Sequence, residues 1–260
     1  KRRDFVKVGA LGSAALITNS CSNTSSSNNE QSVLLTKSKE IKVVSTWISG
    51  IDANKEAFRI LQSNGSAINA IEKGLNITES DPENTSVGLG GMPDANGLVT
   101  LDASIMDHNY NCGSVTYLQN IEHPISVARK VMEETPHVML SGKGAYEFAL
   151  EQGFKHKNLL TDSSLQKWQE WKDKKTLNLP IINHENHDTI AMIAQDENGN
   201  LAAGCTTSGW AYKKHGRVGD SPIIGAGIFV DGEIIIGDAN SSDSVIIQSN
   251  RIENPPAFGL

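Results

Sequence analysis

Behind Asp188 the chain turns abruptly into a β-hairpin, and this hairpin limits the possible folds more than any other stretch. Thr189-Ile190-Ala191-Met192-Ile193-Ala194-Gln195 is β-branched and apolar, Asp196-Glu197-Asn198-Gly199-Asn200 is built from turn formers, and Leu201–Thr207 is apolar again. Buried strands of this kind, with helices arriving in blocks, call for sheets covered by helices. The hairpin register also brings Thr207 back beside Thr189.

Upstream, Ile41–Trp47 reads as a first strand, and Ala53–Gln62 as a helix burying Ala57, Phe58 and Leu61, stopped by Gly65. Ser66 caps a second helix with Ile68, Ile71 and Leu75 as its apolar stripe. Val87–Gly91 and Gly97–Leu101 read as strand and turn, and Ala103–Met106 and Cys112–Tyr117 as short strands. Pro124 opens a helix through Glu134. Another runs from Ala145 to Gln152, and Leu165, Trp168 and Trp171 mark a surface helix. The segment 172–185 reads as an exposed loop. Ile223–Val230 and Glu233–Ile236 flank an Asp-Gly turn and predict a second hairpin.

At 260 residues the chain can bury a full core, and its net charge of -7 argues against nucleic acid as a partner. No run of about 18 apolar residues is present to span a membrane. The first residue is Lys1 and not Met, so an earlier start is expected. Lys1-Arg2-Arg3-Asp4-Phe5-Val6-Lys7 and the apolar stretch Val8–Ile17 resemble a twin-arginine export signal, which assigns residues 1–21 to export and the protein to the periplasm or exterior. Cys21 stands where a lipid anchor would sit, and residues 22–40 read as a flexible linker. Cys112 and Cys205 lie in apolar surroundings. They are either free thiols or a disulfide, and no metal-ligand spacing is present.

The junction before the hairpin carries the chemistry. In His187-Asp188-Thr189, a break of the Asp188–Thr189 bond makes Thr189 an N-terminus whose hydroxyl attacks while its own amine serves as base. An unperturbed α-amine titrates near pH ~7.7–8.0, which suits that role. The plain alternative is a β-branched residue that starts a strand. Thr207, in Gly204-Cys205-Thr206-Thr207-Ser208-Gly209, either holds the nucleophile or is a satisfied strand-end hydroxyl. Arg217 and Asp220, in His215-Gly216-Arg217-Val218-Gly219-Asp220-Ser221-Pro222, either grip the α-carboxylate and α-ammonium of an amino acid or form a loop salt bridge.

Taken together, these three motifs resemble the glycosylasparaginase (aspartylglucosaminidase) family. Ser45-Thr46-Trp47, Ser86–Gly91, Leu101–Asp107 and Pro124–Arg129 extend the similarity, which runs from about Ile41 to Glu233. The resemblance implies an N-terminal nucleophile hydrolase with an α+β, four-layer αββα sandwich. It implies a precursor cut between Asp188 and Thr189, so that residues 41–188 and 189–260 form the two chains. Thr189 is then the nucleophile, Thr207 assists it, Asp188 orients or activates the hydroxyl, Arg217 and Asp220 hold the free amino-acid end, and Trp47 borders the substrate. The implied substrate is asparagine glycosylated on its side-chain amide. No metal or organic cofactor is implied, and the assembly is a dimer of cleaved pairs.

Beyond Ile234 the resemblance stops. The family's Thr-Gly oxyanion pair has no counterpart in Ile235–Ser242, with Asn240 and Ser241 the only stand-ins, so the C-terminal part is expected to be truncated and short of core elements. Two alternatives remain from the residues: a plant-type asparaginase or isoaspartyl peptidase, and an inactive envelope protein of the same fold.

Overall fold

A computed structural model describes residues 40–174 and 189–231, with the backbone course of three strands beyond them. Helices and strands are mixed in one unit. Among the described residues, five α-helices, α1 (Ile51–Gln62), α2 (Ala67–Glu79), α3 (Pro124–Glu134), α4 (Gly142–Glu151) and α5 (Asp162–Asp173), accompany two sheets. The larger sheet runs β1-β5-β6-β2-β3-β4, from β1 (Lys42–Ser45), β2 (Leu101–Asp107), β3 (Cys112–Leu118), β4 (Met139–Ser141), β5 (Thr189–Gln195) and β6 (Leu201–Thr207). Among the described strands of this sheet the β3–β4 pair is parallel and the other pairs are antiparallel. The smaller sheet runs β10-β9-β8-β7, from β7 (Ile228–Val230), β8 (Ile234–Gly237), β9 (Val245–Gln248) and β10 (Arg251–Glu253).

The period-two alternation of β5 and β6 divides the core. Ile190, Met192, Ala194 and Ala202 point to one side, where Leu61, Ile71, Leu75 and Ile125 of α1, α2 and α3 meet them. Ala191, Ile193, Ala203 and Cys205 point to the other, against Ile228 and Val230 of β7. The backbone of β8 also lies over β5 and β6. The larger sheet is thus covered by helices on one face and by the smaller sheet on the other.

Local chemistry sets the helix ends. Pro124 occupies the first turn of α3, where its missing N–H leaves nothing unsatisfied. The Ser66 hydroxyl accepts from Asn69 N at 3.4 Å and caps α2. Glu79, fully buried at the end of α2, ties three elements together. It accepts from Ile125 N at the start of α3 (3.0 Å), from Thr206 Oγ1 on β6 (2.8 Å) and from Asn76 Nδ2 (3.1 Å). A buried carboxylate needs such partners.

Several expectations change. Val87–Gly91 is a turning segment and not a strand, because Gly88 and Gly90 adopt φ of 60° and 86°. The strand expected from Ile223 narrows to Ile228–Val230, since the chain first turns at Gly225 (φ 92°). Helix α4 begins at Gly142, three residues ahead of the expected start, and the short parallel strand β4 precedes it. Beyond the point where the resemblance stops, β9 and β10 continue the smaller sheet. Cys112 and Cys205 do not form a disulfide, and burial, helped by the charge of Asp107, pushes the Cys112 thiol pKa up. The proposed export segment, linker and lipid-anchor cysteine, together with His187, Asp188, Asn240 and Ser241, lie outside the described residues. Among the described residues, no helix is long and apolar enough to cross a membrane.

Candidate active site

Thr189 is the first residue of β5 and pairs with Thr207, the last residue of β6. Thr207 in turn pairs with Asp102 on β2. Directly opposed residues point to the same side of a sheet. Thr189 and Thr207 share the parity of Ala191 and Cys205, so this row faces the smaller sheet, at one end of the ladder.

Around Thr189 the hydroxyls are held by backbone. Its Oγ1 lies 3.2 Å from Oγ of Ser221. Ser221 is buried and its carbonyl accepts from Ser104 Oγ at 2.6 Å, so it cannot swing away without breaking a buried hydrogen bond. The Thr46 hydroxyl accepts from Ala191 N at 3.0 Å and donates to the Thr189 carbonyl at 3.4 Å, fixing the start of the strand from the β1 side. On β6, Thr207 Oγ1 accepts from Gly209 N at 2.8 Å, closing a tight turn at φ 69°.

A cleft of about 370 Å³ opens beside Thr189, lined by Trp47, Ser49, Asp81, Ile190 and residues 83–87. That is room for a small ligand. Trp47 holds φ 66° and ψ 154°, a region almost reserved for glycine. Such a conformation costs about 1–3 kcal/mol and persists only where neighbours enforce it. The Ser86 carbonyl accepts from Ser208 N at 2.7 Å, which joins the cleft wall to the end of β6.

Arg217 and Asp220 share one loop but are not among the residues lining this cleft. The Arg217 guanidinium stacks on the Trp210 ring at 4.1 Å. A Cβ at Gly209 or Gly219 would come within 3.2 Å or 3.1 Å of its Nη1, so the glycines make room for it. The fully buried Lys213 ammonium donates to the carbonyls of Ser208 (2.9 Å) and Thr100 (3.3 Å), pinning the turn beneath. Asp102 is fully buried there. Burial raises its pKa, against the charges of Lys213 and Arg217 and N–H bonds from Tyr117 and Gly219.

The structure therefore places Thr189, Thr207 and Trp47 around one end of the β5–β6 ladder, with Arg217 and Asp220 on the loop that ends at Ser221. No local pattern assigns a role to Ser221, Thr46, Lys213 or Asp102. Ser221 and Thr46 stood inside matched motifs, but only the fold reveals what they touch. Among the described residues no group of three His, Cys, Asp or Glu side chains is arranged to hold a metal ion.

Comparison with known proteins identifies the family. A family model described as Asparaginase matches residues 32–236. An N(4)-(β-N-acetylglucosaminyl)-L-asparaginase from Elizabethkingia miricola is 54% identical over 248 residues, covering 95% of this chain and 72% of that protein. The protein of the same name from Rattus norvegicus is 36% identical over 219 residues, covering 73% of this chain and 63% of its own length. The chain thus spans roughly two thirds of the length of the relatives it matches. With the family model matching well over half of its residues, the chain belongs to the asparaginase family, on the glycosylasparaginase side of the N-terminal nucleophile hydrolases.

Proposed function

We propose that this chain is a self-processing amidohydrolase that cleaves the bond between N-acetylglucosamine and the side-chain amide of asparagine, with Thr189 as nucleophile. The observation that carries the reading is the position of Thr189: first in its strand, opposite Thr207, 3.2 Å from Ser221 and open to the Trp47 cleft. The names of the Elizabethkingia and rat relatives supply the substrate.

In the first reaction the Thr189 hydroxyl attacks the Asp188 carbonyl. The peptide nitrogen leaves as the Thr189 amine and an ester remains, which water opens. In the second, the same hydroxyl attacks the substrate's side-chain carbonyl while the freed amine takes the proton. The amine then passes the proton to the departing glycosylamine. Water hydrolyses the aspartyl ester and aspartate leaves. Ser221 and Thr207 hold the nucleophile's surroundings, Arg217 receives the α-carboxylate, Asp220 the α-ammonium, and Trp47 borders the substrate.

The remaining parts of the reading rest on the sequence and the family. A helical layer on the outer face of the smaller sheet would complete a four-layer αββα sandwich. The twin-arginine motif supports export to the periplasm, with Cys21 a candidate anchor. The mature enzyme is a dimer of cleaved pairs. The test is release of aspartate from N4-(β-N-acetylglucosaminyl)-L-asparagine by the purified protein and by its Thr189→Ala variant. Hydrolysis abolished by the substitution supports the reading, whereas equal hydrolysis by both proteins removes Thr189 from the reaction.

A further inference from the structure

Stacking on Trp210 orients the Arg217 guanidinium, and a separate set of contacts holds its backbone. Lys214–Arg217 is a four-residue turn, closed by Arg217 N on the Lys214 carbonyl at 2.9 Å, with Gly216 at φ 84° in its third position. His215 is the other central residue of that turn. Its Nδ1 lies 2.8 Å from Oδ2 of Asp94, whose side chain is fully buried. A carboxylate oxygen only accepts, so Nδ1 carries the proton. Oδ1 of Asp94 accepts from Asn96 N (2.9 Å) and Leu98 N (3.1 Å), which keeps this anchor in place. The Tyr117 hydroxyl meets the edge of the same imidazole, 3.0 Å from Nε2 and 2.8 Å from Nδ1. It also receives the Gly216 N–H.

Tyr117 reaches the turn through a break in its strand. The β2–β3 register shifts between Leu101 and Ala103, so Thr116 and Tyr117 together stand against the single residue Asp102. Tyr117 takes φ 54° there, and its N–H donates to Asp102 Oδ1 at 2.8 Å. A bulge of this kind re-aims a side chain beside a site. Asp102 pairs with Thr207, which pairs with Thr189. One row across the sheet thus starts at the nucleophile and ends, through Tyr117 and His215, at the turn that presents Arg217.

We propose that His215, clamped by Asp94 and Tyr117, is a positioning residue that fixes where Arg217 meets the substrate's α-carboxylate. The inference rests on the proposed roles of Thr189 and Arg217 and deepens them. Stacking on Trp210 sets the plane of the guanidinium but lets it slide along the ring. The clamped turn removes that freedom. Paired bonds to a carboxylate need both, and a misplacement of about 1 Å in a positioned group costs on the order of a hundredfold in rate.

The experiment gives the mature enzyme two substrates, N4-(β-N-acetylglucosaminyl)-L-asparagine and the same compound with its α-carboxylate converted to an amide, and reads release of N-acetylglucosamine. Only the acid offers Arg217 a carboxylate, so the readout is the ratio of kcat/KM for the acid to that for the amide. His215→Leu removes both contacts of the ring. His215→Asn keeps a donor at the place of Nδ1 and so keeps the bond to Asp94, and Tyr117→Phe removes one hydroxyl. The ratio is expected to fall about five- to twentyfold in His215→Leu, part of the worth of one charged hydrogen bond, through a raised KM for the acid with kcat little changed. His215→Asn is expected to recover most of the loss, and Tyr117→Phe to show a fall of about threefold. Self-cleavage before Thr189 uses no α-carboxylate and is expected to keep its wild-type rate, whereas a general loosening of the fold slows it and lowers both substrates alike. Tyr117→Phe supplies the same readout if His215→Leu does not fold. An unchanged ratio in the folded variants, or an equal loss on both substrates, overturns the positioning role and leaves the proposed function standing. Failure of wild type to release N-acetylglucosamine from the acid overturns both.

Discussion

The hydroxyls of Thr189 and Ser221 stand 3.2 Å apart, although 32 positions separate them in the chain. The Ser221 carbonyl accepts from Ser104 Oγ, which holds the Ser221 backbone beside Thr189. Ser221→Ala removes one hydrogen bond of about 1 kcal/mol and adds no bulk. Self-cleavage and kcat are each expected to slow by about three- to tenfold, with KM unchanged. Gel densitometry of the precursor and steady-state kinetics measure the two effects.

Arg217 makes a different prediction. Its planar guanidinium lies on Trp210 between two glycines, a seat that a lysine ammonium does not reproduce. Arg217→Lys keeps the charge but loses the paired bonds to a carboxylate. KM for the glycosylated asparagine is expected to rise by about ten- to a hundredfold, the equivalent of one charged hydrogen bond. The kcat should fall much less. A KM within twofold of wild type places the substrate carboxylate elsewhere.

Gly204, in the middle of β6, tests the packing beneath the site. A Cβ there would come 2.5 Å from Ile71 Cγ2 and 2.9 Å from Leu75 Cδ1 of α2. Helix and sheet touch at this point because the residue has no side chain. Gly204→Ala is expected to destabilise the protein by about 1–3 kcal/mol through overpacking, read as a lower midpoint in urea unfolding with the slope unchanged.

His123 supplies a pH test. Burial opposes its charge, but the hydrogen bond and charge of Glu79, with Glu122, outweigh that and leave its pKa raised from 6.5. The ring nitrogen lies 3.2 Å from Glu79. A folded pKa above the unfolded one contributes stability that is complete below about pH 6.5 and is lost as pH rises through the folded value. The stability gap between wild type and His123→Gln should therefore be widest at acidic pH and narrow toward pH 9. A gap that widens with pH contradicts the assignment.

Much of this arrangement was legible in the residues. Pro124 and the stripe behind it gave α3 its observed bounds, and the Asp-Glu-Asn-Gly turn set the β5–β6 register that brings Thr207 to Thr189. What stayed hidden depended on tertiary contact. Val87–Gly91 has strand-like residues but is bent by Gly88 and Gly90 to meet the end of β6. Strand β4 is three half-exposed residues long and pairs only because β3 is beside it. The buried Asp102 and Lys213 lie 111 positions apart, and no local pattern announces that they come together behind the site.

The central claim is that cutting before Thr189 creates the active group. Intact-mass spectrometry with N-terminal sequencing of the freshly purified and then incubated protein tests it directly. The account predicts a fragment beginning Thr189-Ile190-Ala191 that accumulates with time and is absent from Thr189→Ala. A chain that stays whole while hydrolysing the glycosylated asparagine, or a cut at any other bond, contradicts it.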